Sequence, residues 1–528
     1  MNKLPKLPPL ASAEEMRQWD KESIHLGVPG IVLMENAAQA SLRVLQGCIA
    51  DLYGKNVALL MGGGNNGGDA ACLARLLLDM GACPVVYHAK PLSEAKGDAR
   101  IYAELAQKCG VPFKDISEWD GSCSILVDGL LGTGFSGTMR PHLQDLVRLC
   151  NDKKAARLFT LALDIPSGLD AQYGLPCPCA IEADATATFA AAKPGLVLPH
   201  AAKYTGHLHV CYIGTPKKAQ KATAMGLLTE RLLDFLPRLQ TGGYKNRYGH
   251  VAVIGGACGM SGAAHIAALA SLRCGAGLCT VAAPKAGIDE VRLGRPEIMT
   301  LGLGAKDEGK WPASLPDSLQ ELLKKASSVV IGPGMGRGED ARAFLSALLP
   351  FLAGEDKPVV LDADALVLLG QNSWQLPART VLTPHPGEAK CLAPGLVMPN
   401  QAQMVRLLSD KYQCTAVLKG AGSLVAAPGC QTVLYPQDIP QLSCGGSGDC
   451  LAGVIGALLG ALAEDAADPA AGMLSACLGV VLHGTAGRLL AKDYPERGCL
   501  ASDIVSMLPR VRKLHHEGLL EEALKECK

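Results

Sequence analysis

Short apolar runs closed by glycines alternate along most of the chain with longer stretches of helical spacing. That alternation predicts βα units and a parallel sheet. Residues 12–53 read as helices: SAEEMRQWDKE opens with a Ser-x-x-Glu pattern at Ser12 and Glu15, a capping box, and Gly30 to Ala50 keeps the helical period. NVALLM (Asn56–Met61) then reads as a buried strand and GGGNNGGDAACLARLLLDMG as a loop opening a helix. SILVDGLLGTGFSG (Ser124–Gly137) and FTLALDIPSGLD (Phe159–Asp170) repeat the strand-then-glycine arrangement.

Around Pro216–Thr229 the chain becomes Lys-rich and loses any strand pattern. The expected division is a first domain over 1–218, a linker over 219–229 and a second domain over 230–528. The second half restarts with strand His250–Ile254, a glycine loop, a small-residue helix and strand Leu278–Ala283, a βαβ unit with a right-handed crossover. VVIGPGMG, VVLDADAL, VLTPHPGE and TAVLKGAGSLVAA follow as strand-plus-loop units, and the tail from Arg497 reads as helical.

The length of 528 residues suits two domains, each able to bury a full core. Lys+Arg and Asp+Glu balance at 50 each, so no net field favours nucleic acid or an anionic membrane. No apolar run of about 18 residues lacks a polar interruption, so no membrane span is expected. The 20 cysteines contain no C-x-x-C pair, and the N-terminus has no apolar signal core. Free thiols in a reducing cytoplasm are expected, not disulfides or a zinc site.

Chemistry concentrates where the apolar runs end. SCGGSGDCLAGVIGALL (Ser443–Leu459) is a glycine loop entering a helix, whose free N–H groups suit a phosphoryl anion. Asp449 in the same turn is placed to take a hydroxyl proton. Gly62, Gly64 and Gly67 spell G-x-G-x-x-G after a strand, the dinucleotide fingerprint. The next strand, PVVYHAK, ends at His88 and Lys90 without the acidic residue a NAD dehydrogenase needs. Asn66, Asp69, Asp128, Asp164 and Ser167 would converge at the carboxyl ends of the strands. Each Asp alone suits a helix cap; three together, each beside a glycine turn, point to a site. His385 between two prolines and Lys419 at a strand end read, taken singly, as structural. GAKDEGKW (Gly304–Trp311) has Walker-like spacing, but Trp311 replaces Ser/Thr, and a surface loop is expected. His515-His516 is too isolated for a metal site. From the residues alone, phosphoryl transfer to some hydroxyl stands open, including a small-molecule kinase with a non-catalytic first domain.

The order GGGNNGGD, VDGLLGTG, LDIPSGLD and AAKPGL (Ala191–Leu196) resembles the N-terminal domain of YjeF-type proteins, the NAD(P)H-hydrate epimerases, over roughly residues 12–215. The resemblance implies a Rossmann-like doubly wound α/β domain that epimerises the C6 hydroxyl of hydrated NADH or NADPH. By motif, Asn65, Asn66, Gly67, Gly68 and Asp69, with Gly132, Thr133, Gly134, Phe135, Ser136, Gly137 and Thr138, would hold the hydrated cofactor. Asn66, Asp128 and Ser167 would ligate K⁺, and Asp164 would be the acid/base. Ala70 stands where the family commonly has glycine, which requires ordinary dihedrals there.

GPGMG, LDADAL, TPHPGE, LKGAGS and GGSGDCLAG in this order resemble the ribokinase-like superfamily, and within it the NAD(P)H-hydrate dehydratases, over about residues 227–515. This implies a ribokinase-like α/β domain that phosphorylates the C6 hydroxyl of the S hydrate from ADP or ATP. Phosphate elimination then restores the dihydronicotinamide. Lys419, Gly420, Ala421, Gly422, Ser423 and Gly448 would contact the nucleotide; Ala263, Gly334, His385 and Asp449 would contact the hydrate, with Asp449 as base. Mg²⁺ would accompany the nucleotide, held by phosphates and water. The implied partners are small molecules, with no nucleic acid or membrane and a homo-oligomer left open.

Overall fold

A computed structural model describes every residue except 1–3, 155–157, 239–241, 244, 306–308, 396–399, 463–467, 469 and 527–528. The chain folds into two compact units, Pro8–Met225 and Gly226–Lys528, the latter including Met1–Leu7.

In the first unit, β1 (Asn56–Met61), β2 (Cys83–His88), β3 (Phe113–Asp115), β4 (Ile125–Gly129), β5 (Phe159–Leu163), β6 (Ala185–Phe189) and β7 (His207–Cys211) form a 7-stranded sheet ordered β3-β2-β1-β4-β5-β6-β7. The pairings are parallel. Parallel strands covered on both faces must be apolar throughout, which is why NVALLM and ILVDG show no alternation. The pleat still sorts them: Val57, Leu59 and Met61 pack with helices Gly30–Cys48 and Asn65–Asp79, whereas Ala58 and Leu60 pack with Leu126 and Val147. Strand order reverses between β1 and β4, so a crevice opens at their carboxyl ends.

Helix Ala13–His25 starts at the expected capping box: Ser12 Oγ accepts from Glu15 N at 3.2 Å, and Glu15 Oε2 accepts from Ser12 N at 2.7 Å. Trp19 is buried against Met16, Ala11 and Ala191. Ala11 N also donates to Ala192 O at 2.9 Å, which ties this helix to the loop after β6.

In the second unit, β8 (His250–Ile254), β9 (Leu278–Pro284), β10 (Met299–Leu303), β11 (Ser328–Ile331), β12 (Val359–Leu361), β13 (Thr380–Leu382), β14 (Thr415–Leu418), β15 (Ser423–Ala426) and β16 (Thr432–Tyr435) run in the order β16-β15-β14-β13-β12-β11-β8-β9-β10. From β10 to β14 the sheet is parallel. The expectation of a strand-plus-loop unit over TAVLKGAGSLVAA needs correction: the segment forms two strands, β14 and β15, and the pairs β14–β15 and β15–β16 are antiparallel. The turn Lys419–Gly422 between β14 and β15 is too short for a crossover, which takes a dozen residues or more. A short strand, Met225–Leu227, also forms where no strand pattern exists; Leu228 N donates to Leu434 O at 2.8 Å, so tertiary pairing creates it.

Helix Met473–Leu490 is long and apolar enough to cross a membrane, yet 94% of it is buried inside the unit. The segment expected as a surface loop at Gly304–Trp311, part of which lies outside the described residues, follows β10. Its Trp311 is buried, donates Nε1–H to Met335 O at 2.8 Å and packs on Phe344 at 4.9 Å. All cysteines among the described residues are free.

Helix Ser447–Ala461 lies closely on helix Ser261–Cys274, and Ser271 Oγ donates to Gly453 O at 2.9 Å. A Cβ on Gly453 would sit 2.1 Å from Ala267 O. Gly453→Ala is therefore expected to destabilise the second unit by about 1–3 kcal/mol, read as a lower denaturant midpoint. Gly354→Ala, where a Cβ meets nothing within 4 Å, serves as the control and is expected to leave the midpoint in place.

Candidate active sites

In the first unit the glycine-closed strand ends meet at the switch point. Asn66 is buried in the first turn of helix Asn65–Asp79 and donates Nδ2–H to Leu131 O at 3.0 Å. Asp128, on β4, is fully buried and accepts from Ser167 N at 2.7 Å, Ser167 Oγ at 2.5 Å and Leu130 N at 3.2 Å. Ser167 Oγ in turn accepts from Leu131 N at 2.9 Å. Burial pushes the Asp128 carboxyl up to about 6, and the Ser167 and Leu130 hydrogen bonds oppose that rise. Asn66 Oδ1 is also buried and has no hydrogen-bond partner. The structure thus brings Asn66, Asp128 and Ser167 together as an all-oxygen set with an orphaned acceptor and a desolvated carboxylate. Such a set fits a hard cation and not a zinc-type metal.

Asp164 follows β5 and adopts a φ of 58°, a left-handed conformation uncommon outside glycine. Its Oδ1 accepts from Lys193, from Phe189 N at 3.2 Å and from Thr188 Oγ1 at 3.3 Å. Lys193 is 1% exposed and spends its other donors on Thr188 Oγ1 at 2.9 Å and Phe189 O at 3.2 Å. Two further carboxyls crowd this pair. Burial, with Asp164 and Asp20 adding to it, pushes Asp69 well up. Burial and Asp164 also raise Asp20, with Lys193 opposing. The lysine–Asp164 pair therefore stands beside two carboxyls that burial raises, an arrangement suited to acid/base chemistry.

The remaining residues expected around this cluster divide by exposure. Gly67 and Gly68 are buried in the first helical turn, and Asn65 is exposed beside them. Gly132 approaches Asn66 closely enough that a Cβ would lie 3.2 Å from the Asn66 Cβ. Gly134, Ser136, Gly137 and Thr138 form an exposed loop, with Thr133 and Phe135 half-buried. Ala70 sits inside the helix and is not among the residues of positive φ. Its methyl fits because Gly129 faces it: a Cβ on Gly129 would be 2.7 Å away.

In the second unit the centre is Asp362, buried just after β12. It accepts from Lys419 Nζ at 2.7 Å and Thr383 Oγ1 at 2.8 Å. Lys419 also lies 3.8 Å from Glu388. Burial works against the Lys419 charge, but Asp362 and Glu388 outweigh it and hold the ammonium above its ordinary value. Asp449 occupies the first turn of helix Ser447–Ala461, whose N-cap Gly446 has φ 91°. Burial pushes the Asp449 carboxyl up to about 7; Asp362 adds to this and Lys419 opposes it. Gly448 lets the lysine come near the helix N-terminus: a Cβ there would lie 3.3 Å from Lys419 Nζ and 3.9 Å from Asp362 Oδ2.

His385 is a helix cap as well as a loop histidine. Its Nδ1 accepts from Gly387 N at 3.0 Å and Glu388 N at 3.3 Å, while its own N donates to Glu388 Oε2 at 2.8 Å. With Nδ1 accepting, Nε2 is left to carry the hydrogen of the neutral ring. Ala263 and Gly334 adjoin, since a Cβ on Gly334 would stand 3.2 Å from the Ala263 Cβ. Gly336 N and Arg337 Nε donate to Asp364 at 2.9 and 2.6 Å. Gly420 and Ser423 are joined across the hairpin turn by Ser423 Oγ donating to Gly420 O at 3.2 Å, with Ala421 and Gly422 between them. Lys419 alone turns from this hairpin into the carboxylate cluster.

Lys193, Asp20, Asp362 and Glu388 were not singled out by sequence reasoning. The rule that finds Asp128 and Asp164, an aspartate closing an apolar strand, also reaches Asp362. Lys193 is signalled by an unshielded lysine in the Ala/Gly/Pro run AAKPGL, and Glu388 by its place three residues after His385. Asp20 carries no signal, being one acid on an amphipathic helix.

A family model described as NAD(P)H-hydrate dehydratase matches residues 251–510, and one described as YjeF-related protein N-terminus matches residues 30–195. A bifunctional NAD(P)H-hydrate repair enzyme Nnr of Moorella thermoacetica is 34% identical over 535 residues, 96% of this chain and 97% of the relative. One of Escherichia coli is 34% identical over 508 residues, 94% and 93% respectively. Among solved structures, an ADP/ATP-dependent NAD(P)H-hydrate dehydratase of Bacillus subtilis, co-crystallised with ATP/Mg²⁺, is similar at 27% identity and a TM-score of 0.45, covering 54% of this chain and 96% of that one.

The charge arrangement around Asp449 is checked by carbon-detected carboxyl titration. Asp449 is expected to titrate near pH 7. Asp362→Asn removes a neighbouring anion, so the midpoint should fall; Lys419→Met removes the cation, so it should rise. An ordinary carboxylate midpoint in the wild type would contradict this geometry.

Proposed function

The chain belongs to the bifunctional NAD(P)H-hydrate repair enzymes, and we propose that its two units divide the repair between them. Residues 1–218 exchange the R and S forms of hydrated NADH and NADPH. Residues 230–528, beyond the linker 219–229, dehydrate the S form using ADP or ATP. The carrying observation is that each unit has its own largely buried lysine–carboxylate pair at the carboxyl ends of a largely parallel sheet.

In the first unit Asp164 serves as acid/base at C6 of the hydrate, held in place by Lys193, Thr188 and the Phe189 amide. Asp69 and Asp20, whose carboxyls burial raises, stand beside it. Asn65, Gly67, Gly68, Asp69 and the exposed loop from Gly132 to Thr138 line the crevice for the hydrated dinucleotide. Asn66, Asp128 and Ser167 would hold K⁺, which would supply the positive charge that buried Asp128 lacks.

In the second unit Asp449 takes the C6 hydroxyl proton as the oxygen attacks the terminal phosphorus of the nucleotide; the bridging P–O bond breaks and AMP leaves from ADP, or ADP from ATP. The N–H groups of Gly445–Gly448 and the Lys419 ammonium receive the charge on the phosphoryl oxygens. Gly420, Ala421, Gly422 and Ser423 lie beside the nucleotide; Ala263, Gly334 and His385 lie beside the hydrate. Mg²⁺ would bind chiefly through the nucleotide phosphates and water. The phosphoester then expels phosphate and loses a C5 proton, which restores the C5=C6 double bond. The free cysteines fit a reducing compartment, and we place the enzyme in the cytoplasm.

Separate variants test the division. Asp164→Asn should lower R/S exchange by about a hundredfold or more while S-hydrate dehydration continues. Asp449→Asn should do the reverse. Retained exchange in the first, or retained dehydration in the second, would remove that residue from its role.

A further inference from the structure

The end of β2 is where dinucleotide-binding sheets of this strand order read the adenosine ribose. A carboxylate there accepts a free 2′-hydroxyl, and a cation accommodates a 2′-phosphate. Here β2 ends at His88, and the chain continues through Ala89 to Lys90. Ala89 N donates to Met61 O at 2.9 Å, which fastens this segment to the end of β1 and its glycine loop. The stem of Lys90 lies over that loop: a Cβ on Gly63 would be 2.9 Å from Lys90 Cδ and 3.6 Å from its Nζ.

The hollow between them is lined by Gly62, Gly63, His88, Lys90, Pro91 and Glu94, among others. Among the described residues Lys90 forms no ion pair within 4.0 Å, Glu94 included. His88 Nδ1 is buried and has no hydrogen-bond partner. The Lys90 ammonium therefore stands free beside the glycine loop, and His88 lines the same hollow.

The sheet order also sets the distance. Asp164 follows β5 and Lys90 follows β2, with β1 and β4 between them. Three strand spacings of about 4.8 Å make roughly 15 Å. A dinucleotide laid across the switch point, with its nicotinamide at Asp164, brings its adenosine end to Lys90.

We propose that this hollow takes the 2′-phosphate of hydrated NADPH, and that Lys90 makes the exchange reaction favour the NADPH hydrate over the NADH hydrate. This rests on the reading of the first unit as an epimerase. The contact is with bound substrate and remote from C6, so it acts on KM more than on kcat.

The test measures R/S exchange of both hydrates by the full-length enzyme, with S-hydrate dehydration as a control for folding. Lys90→Ala should lower kcat/KM for the NADPH hydrate by about tenfold, the worth of one charge-assisted hydrogen bond. The loss should come through KM and leave the NADH hydrate unchanged. Lys90→Glu should invert the preference between the two hydrates. An equal loss for both hydrates, or no change for either, would overturn the assignment of Lys90. A wild-type enzyme that exchanges neither hydrate would instead overturn the epimerase reading and this inference with it.

Discussion

Each unit holds a lysine paired with an aspartate largely out of water, Lys193 with Asp164 and Lys419 with Asp362. Desolvating two charges costs several kcal/mol each, and the cost is offset only where the remaining donors are also satisfied. Lys193 meets that condition with Asp164, Thr188 and the Phe189 carbonyl. Lys419 meets it differently, as one cation among Asp362, Glu388 and Asp449. Burial raises the Asp449 carboxyl first, and the neighbouring Asp362 adds to the rise more than Lys419 offsets it. Asp449 is thereby pushed up to about 7, where it can give or take a proton near neutrality.

Parallel sheets make such clusters possible, because every strand delivers its next residue to the same edge. Asp128, Asp164 and Asp362 occupy equivalent positions at or just after apolar strands. This much is legible from the sequence, since an acid closing an apolar run stands out in any order. What is not legible is what pairs with each acid. Lys193 and Asp164 lie 29 positions apart, and Lys419 and Asp362 lie 57 apart; only the fold brings them together. The antiparallel edge at β14–β16 is hidden for a related reason: a turn as short as Lys419–Gly422 decides strand direction, while the apolar pattern is the same either way. His385 reads as a loop residue because its capping role needs the backbone of Gly387 and Glu388 in a helical turn.

The Ala70 substitution shows how far local chemistry carries and where packing takes over. A methyl in a glycine-rich turn raises a question about dihedrals, yet the residue is plainly helical. The limit on it is the missing side chain of Gly129 on the facing strand. Removing one epimer also drains the other only while exchange keeps pace, which gives a physical reason for both activities to share one chain.

The most direct measurement mixes the pure S hydrate of NADH with ADP, Mg²⁺ and the enzyme and follows the dihydronicotinamide absorbance. Recovery of that absorbance, matched one for one by AMP and inorganic phosphate, is the result predicted. A phosphoester that persists without any gain in absorbance would contradict it and leave a kinase in its place.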